Sequence, residues 1–355
     1  MFDSFSNAIE VLDRRIREAL ERSIPEDEFS ALATSLYRLQ ADHIPSVQRF
    51  SMMRGTEPSD LKDWRDIPAI PIRSFKDLAL TSLPEEERGR CFFSSGTTSG
   101  NRSRHYHSDA SMGLYETSLL AGYQWIQRRA ERTFPSKLVS LTPEPSEVPH
   151  SSLAHMFGTW ARGMEQVSFV GSIDEAGRWQ VDVGRFIEAV QGEDVPALVV
   201  GTAFGFVHLL DGLDAEGLSV GLPEGSMILE TGGYKGQSRE IPKADLHRWI
   251  VESLGIHDRD IVNEYGMSEL SSQAYSINGD PLVVPSWMRV ELVSAETGRP
   301  IEDGGRGLIR VVDLANVRSV CSILTEDLGE RRGDGFELHG RKLDAEPKGC
   351  SLLAV

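Results

Sequence analysis

Apolar residues near the start of the chain recur at three- and four-residue steps. Ile9, Leu12, Ile16 and Leu20 predict an amphipathic helix over 4–22, and a similar pattern predicts a second over 27–44. Pro45, Pro58, Pro68 and Pro71 then punctuate a connector. A third helix is predicted over 108–130, with Ser108 or Asp109 as its N-cap. Beyond it, short apolar runs alternate with helical periodicity. Residues 137–142, 197–203 and 226–230 read as strands, and 186–191 and 243–254 as helices. A shorter strand lies around Ile261-Val262, and the pattern is β-rich after about residue 285, as in 307–312. The alternation predicts an α/β fold with a parallel sheet and helices on its faces. In such sheets ligands gather beyond the carboxyl ends of the strands. No internal repeat or low-complexity segment interrupts the pattern.

Composition narrows the class. The chain has 355 residues, 40% hydrophobic and 26% charged, as expected of a soluble globular protein with a sizeable core. Its net charge of −17 argues against nucleic acid or an anionic membrane as the main partner. No apolar run approaches the ~18 residues of a membrane span. The start, Met1-Phe2-Asp3-Ser4, lacks the basic and apolar regions of a signal peptide. The three cysteines, Cys91, Cys321 and Cys350, are widely spaced and odd in number, which points to free thiols and a cytoplasmic location.

Candidate chemistry starts at Ser94-Ser95-Gly96-Thr97-Thr98-Ser99-Gly100. Glycines let the backbone turn sharply, and N–H groups and hydroxyls donate to phosphate oxygens. The run is not a Walker A loop, because the Gly-Lys-Ser/Thr ending is missing. Read alone, it is equally a polar surface loop. Thr231-Gly232-Gly233 follows an apolar run, so its glycines suit either a plain turn or close approach to a flat purine. Tyr265 and Glu269 stand four apart. A ring able to stack on adenine and a carboxylate able to hold Mg²⁺ suit ATP, while an isolated pair is by default a core tyrosine and a solvated glutamate. His105 and His107 share one face of a strand, but three or four metal ligands are not in evidence around them.

In chain order the hydroxyl/glycine loop, Tyr265-Gly266-Met267-Ser268-Glu269, Thr325-Glu326-Asp327 and Gly340-Arg341 resemble the adenylate-forming superfamily of acyl-CoA synthetases, adenylation domains and luciferases. A closer resemblance is to its acyl-protein synthetase (LuxE-like) branch. It is carried by the doubled serine of the loop with Ser103-Arg104-His105, by Ile70-Pro71-Ile72-Arg73-Ser74-Phe75-Lys76, and by Lys348-Gly349-Cys350-Ser351-Leu352.

The resemblance implies an adenylate-forming large domain over 1–340, with 341–355 as a short tail where most relatives have a mobile domain bearing a catalytic lysine. It implies ATP with Mg²⁺ as cofactors, activation of a carboxylic, fatty acid as acyl-AMP, and transfer to a thiol. Ser94, Ser95, Gly96, Thr97, Thr98, Ser99 and Gly100 would hold phosphates, with Thr97 and Glu269 catalytic and Glu269 the Mg²⁺ ligand. Gly232, Gly233, Tyr265 and Gly266 would line the adenine site. Asp327 would take the ribose hydroxyls and Arg341 the ribose or phosphate side. Glu326 stands where the family has glycine. His155 would face the acyl pocket, although a hydrogen-bonded structural histidine fits it as well. Cys350 would accept the acyl group as a thioester, with Lys348 favouring the thiolate. Partners would be the acid and an acyl-donor or acyl-acceptor protein. Transfer to an amine, a hydroxyl or a carrier thiol stays open, as does a non-catalytic nucleotide-binding protein.

Overall fold

The structure is a computed structural model, and it describes residues 2–94, 102–192, 194–233, 239–301 and 304–341, with side chains from residue 7 onward. Residues 95–100, Lys348 and Cys350 therefore lie outside the described residues.

Three helices open the chain: α1 (Phe2–Leu20), α2 (Glu26–His43) and α3 (Pro45–Met53). Ile9, Leu12, Ile16 and Leu20 are all buried, as their spacing requires. Pro45 opens α3, where its missing N–H costs nothing. The proline-punctuated connector holds β1 (Ile70–Pro71) and the single turn α4 (Ser74–Asp77). Next come β2 (Arg90–Phe93) and β3 (Arg104–His107), then α5 (Asp109–Arg129). Ser108 caps α5 in a reciprocal exchange with Ser111.

The middle of the chain alternates as expected. It runs β4 (Lys137–Ser140), α6 (Ser152–Ala161), β5 (Gln166–Phe169), the small hairpin β6 (Gly171–Ile173) and β7 (Trp179–Val181), and α7 (Val183–Val190). It continues with β8 (Ala197–Thr202), α8 (Ala203–Glu216), β9 (Met227–Thr231), α9 (Lys243–Leu254), β10 (Ile261–Tyr265) and β11 (Ala274–Ile277). The order across this sheet is β11-β10-β9-β8-β4-β5, parallel except for β11. Every residue of β4, β8, β9 and β10 is buried, because helices cover both faces. Ile228 packs with α7, α8 and α9 on one face, and Met227 and Leu229 pack with α5 and α6 on the other.

The β-rich end is β12 (Met288–Val293), β13 (Arg306–Asp313), β14 (Ser322–Arg332) and β15 (Gly335–Arg341). These form a second sheet, ordered β1-β14-β13-β12 with β15 on β14. Helices α1–α3 contribute to the same apolar core as this sheet. No described helix is long and apolar enough to cross a membrane.

The apolar stretch Cys91-Phe92-Phe93 reads from its sequence as another strand of this alternating kind, and here the structure differs. The segment before the hydroxyl/glycine run does not join the parallel sheet. β2 pairs antiparallel with β3, so the run sits at the tip of a hairpin. Only Phe92 of β2 is fully buried, and a strand covered on one face has no place inside a two-sided sheet.

Candidate active site

The hairpin stem closes just below the run. Ser94 N–H donates to the Ser103 carbonyl at 3.2 Å, and Ser103 N–H donates to Ser94 Oγ at 3.0 Å. The stem then clamps onto the turn after β10. His105 Nδ1 lies 2.7 Å from the Ser268 carbonyl, and Ser268 Oγ donates to the Phe93 carbonyl at 3.2 Å. Phe93 also packs on His150, ring centroids 4.6 Å apart. Ser94 is thus brought to the root of the Tyr265–Glu269 turn, a segment 170 residues away in sequence.

Glu269 is buried, and burial raises its pKa above the usual 4.5. A hydrogen bond from the Ser103 side chain, a backbone N–H, and the charges of Arg341 and Lys76 offset part of that rise. Its carbonyl accepts from Asn316 Nδ2 at 2.8 Å. Asn316 in turn meets Ser271 Oγ at 2.6 Å, and the fully buried Asp313 accepts from Ser271 N–H at 2.8 Å and Ser272 Oγ at 2.7 Å. The turn carrying Glu269 is therefore pinned from beneath by the end of β13 and the loop after it.

Tyr265 closes β10. Its hydroxyl donates to Asp327 Oδ2 at 2.8 Å, and Arg341 Nε donates to Asp327 Oδ1 at 3.0 Å. Burial, with the Asp327 charge beside it, pushes the Tyr265 pKa well above 10. The ring meets Phe336 edge-on at 5.8 Å. Tyr265, Asp327 and Arg341, far apart in sequence, are thus one group, and Glu326 pairs outward with Arg73. Arg341 is 78% exposed, so this ion pair adds little stability and leaves the guanidinium accessible.

Two glycine positions have physical reasons. Gly233 has φ +107, a conformation that favours glycine, and a Cβ on Gly232 would meet nothing within 4 Å. A Cβ on Gly266 would meet Oε1 of the buried Glu264 at 2.4 Å, so any other residue would displace that carboxylate.

His155 is not brought to this group. It lies at the base of the hairpin, with Nδ1 3.0 Å from Arg90 Nη1 and Nε2 3.0 Å from Glu116. Its ring stacks on Tyr115 at 5.9 Å, and burial lowers its pKa. His105 is also held neutral at pH 7, its pKa lowered to about 4 by burial.

The sequence reading missed four participants. Ser103 holds Glu269, and His150 supports the hairpin through Phe93 and the Cys91 carbonyl. Lys76 lends charge to Glu269. Asn263, on β10 two residues before Tyr265, has a buried Oδ1 with no partner among the described residues. The signal for Asn263 was available: residues two apart on a strand share a face.

A parallel sheet whose carboxyl ends meet a second sheet, with the β2–β3 hairpin against the turn after β10, is the arrangement in which the candidate residues gather. The profile of the family described as "Acyl-protein synthetase, LuxE" matches residues 57–354, and the chain belongs to that family. It is 21% identical over 301 residues to a long-chain-fatty-acid–luciferin-component ligase of Vibrio harveyi, covering 82% of this chain and 78% of that protein. An Aliivibrio fischeri protein of the same name is 24% identical over 136 residues, 35% of this chain and 36% of its own. Among solved structures, an open conformation of 2-hydroxyisobutyryl-CoA ligase in complex with 2-HIB-AMP and CoA superposes with a TM-score of 0.65 at 16% identity. It covers 91% of this chain and 77% of that one, a likeness of fold.

Proposed function

We propose that the chain activates a long-chain fatty acid with ATP as acyl-AMP and passes the acyl group to a thiol, Cys350 or that of an acceptor protein. The observation that carries this reading is the convergence of the hairpin root at Ser94, the buried carboxylate of Glu269, Tyr265 at the end of β10, Asp327 in the middle of β14 and Arg341 at the end of β15. The names of the Vibrio harveyi and Aliivibrio fischeri relatives support the acid class.

In this reading Ser94, Ser95, Gly96, Thr97, Thr98, Ser99 and Gly100 donate to the phosphates. Gly232, Gly233, Tyr265 and Gly266 line the adenine. Asn263 Oδ1 accepts from the adenine amino group, which would satisfy an otherwise orphaned buried acceptor. Asp327 takes the ribose hydroxyls and Arg341 the phosphate side. Glu269 is the residue for Mg²⁺, which favours one or two carboxylates plus phosphate oxygens. When bound, Mg²⁺ neutralises phosphate charge. The acid carboxylate attacks the α-phosphorus and pyrophosphate leaves. The thiols of Cys91 and Cys321 are free, which suits the cytoplasm.

The test is pyrophosphate release with ATP, Mg²⁺ and saturated acids from octanoate to octadecanoate. The expected result is acid-dependent release that peaks with the longer chains and is lost in the Thr97→Ala, Glu269→Ala double variant. ATP binding by calorimetry without release from any acid would favour a non-catalytic nucleotide-binding protein.

A further inference from the structure

The segment Ile70-Pro71-Ile72-Arg73-Ser74-Phe75-Lys76 touches the site at two points, the Arg73 pair with Glu326 and the charge of Lys76 on Glu269. The structure wedges it between the two halves of that site. β1 pairs parallel with β14, Ile70 opposite Ile323 and Pro71 opposite Leu324, and Ile72 N–H donates to the Leu324 carbonyl at 2.9 Å. Arg73 then pairs with Glu326, the residue before Asp327. On the other side Phe75 meets His105 edge-on at 6.2 Å, and His105 holds the carbonyl of Ser268, the residue before Glu269. Arg104 donates to the Lys76 carbonyl at 3.1 Å, fixing α4 to the hairpin that carries the hydroxyl/glycine run.

Lys76 ends this segment and is exposed. Of the cations around it, Arg73 pairs with Glu326 and Arg104 donates to the Lys76 carbonyl, while Arg341, beside Asp327, keeps an accessible guanidinium. No carboxylate oxygen lies within salt-bridge distance of the Lys76 ammonium among the described residues. Its charge nevertheless reaches Glu269, whose pKa it helps to hold down. A compact ammonium on a flexible four-carbon stem suits a phosphate contact made only when substrate arrives.

We infer that Lys76 is a catalytic residue of the adenylation step, its ammonium contacting the α-phosphate and the incoming carboxylate. This rests on the reading above. In that step a bond forms between the carboxylate oxygen and the α-phosphorus, while the bond from phosphorus to the pyrophosphate oxygen breaks. The bonding pair leaves with pyrophosphate, and no proton moves. Two anions must meet, and negative charge builds on the α-phosphate oxygens. A cation there stabilises the transition state more than bound ATP, so its removal lowers kcat more than it weakens ATP binding.

The experiment compares Lys76→Gln and Lys76→Arg with the parent protein, using ATP, Mg²⁺ and hexadecanoate. Because Lys76 is exposed, both variants should keep the parent melting temperature. Lys76→Gln should lower kcat for pyrophosphate release by about 100-fold, with ATP affinity by calorimetry changed by less than about threefold. Lys76→Arg should recover part of the rate. Thioester labelling from ready-made hexadecanoyl-AMP should be unaffected in both. The assignment is overturned by a Lys76→Gln kcat within about threefold of the parent, by a rise in KM for ATP at unchanged kcat, or by a loss of rate tracking a lowered melting temperature. A parent protein inactive with every acid defeats the adenylation reading itself, and the role of Lys76 with it.

Discussion

Glu269 shows how much of the site a residue type alone can disclose. Its place four residues after Tyr265 was readable, as was its suitability for a cation. Its burial was not, because that depends on Ser103 and Asn316 arriving from distant segments. Burial fixes the sign of its pH behaviour. A carboxylate with a raised pKa contributes stability that is present at low pH and lost as pH rises through that pKa. A ligand that needs the charged form then competes with a proton. Pyrophosphate release should therefore show an acid limb with an apparent pKa above 4.5. Glu269→Gln should run about 100-fold slower and lose that limb. A pH–rate series on both proteins checks this, and an identical limb in the variant would assign the titration to another group.

Elements followed the hydrophobic pattern in the helices with one apolar face and in the short apolar strands of the parallel sheet. Helices 4–22, 27–44 and 108–130 emerged within a few residues of their predicted bounds. Helix α8 did not emerge from the sequence. It follows β8 without a break, and Ala203 through Val207 are all buried, so no polar face marks the change from strand to helix. The hairpin was misread for the converse reason, since four-residue strands carry too little periodicity to show their partner. The turn after β10 depends on the loop beyond β13. Asn316→Ala would leave the buried carbonyls of Glu269 and Val320 and the Ser271 hydroxyl without their partner. Each unsatisfied group costs about 1–3 kcal/mol. Urea unfolding should show a loss of at least about 1 kcal/mol, accompanied by a raised KM for ATP. An unchanged midpoint would mean that water replaces the amide.

At the scale of the whole molecule, the α/β class was legible from the alternation of strands and helices. The meeting of two sheets was not, because it rests on contacts between distant residues, as from Tyr265 to Asp327 and from Ser271 to Asp313. The thiol step belongs to this scale, since Cys350 lies nine residues beyond Arg341. An extended segment of that length could span at most about 30 Å at ~3.3 Å per residue. Cys350→Ser should leave acyl-AMP formation intact and abolish hydroxylamine-sensitive labelling by radioactive hexadecanoate. Persistent label would exclude Cys350 as the acceptor, and loss of acyl-AMP as well would give that segment a structural role.

The tie between the first helices and the last sheet has a consequence for synthesis. Gln40 of α2 accepts from Cys321 N–H, 281 residues downstream, and donates to the Asn316 carbonyl. At about 5–20 residues per second a ribosome takes roughly 15–55 s to make that stretch. Throughout that interval the apolar stripes of α1, α2 and α3 have no sheet to cover them. For most of its translation a nascent chain of this protein therefore carries apolar surface that its final sheet has not yet covered. A codon change that slows elongation between α3 and β13 would lengthen that exposure without altering a single residue.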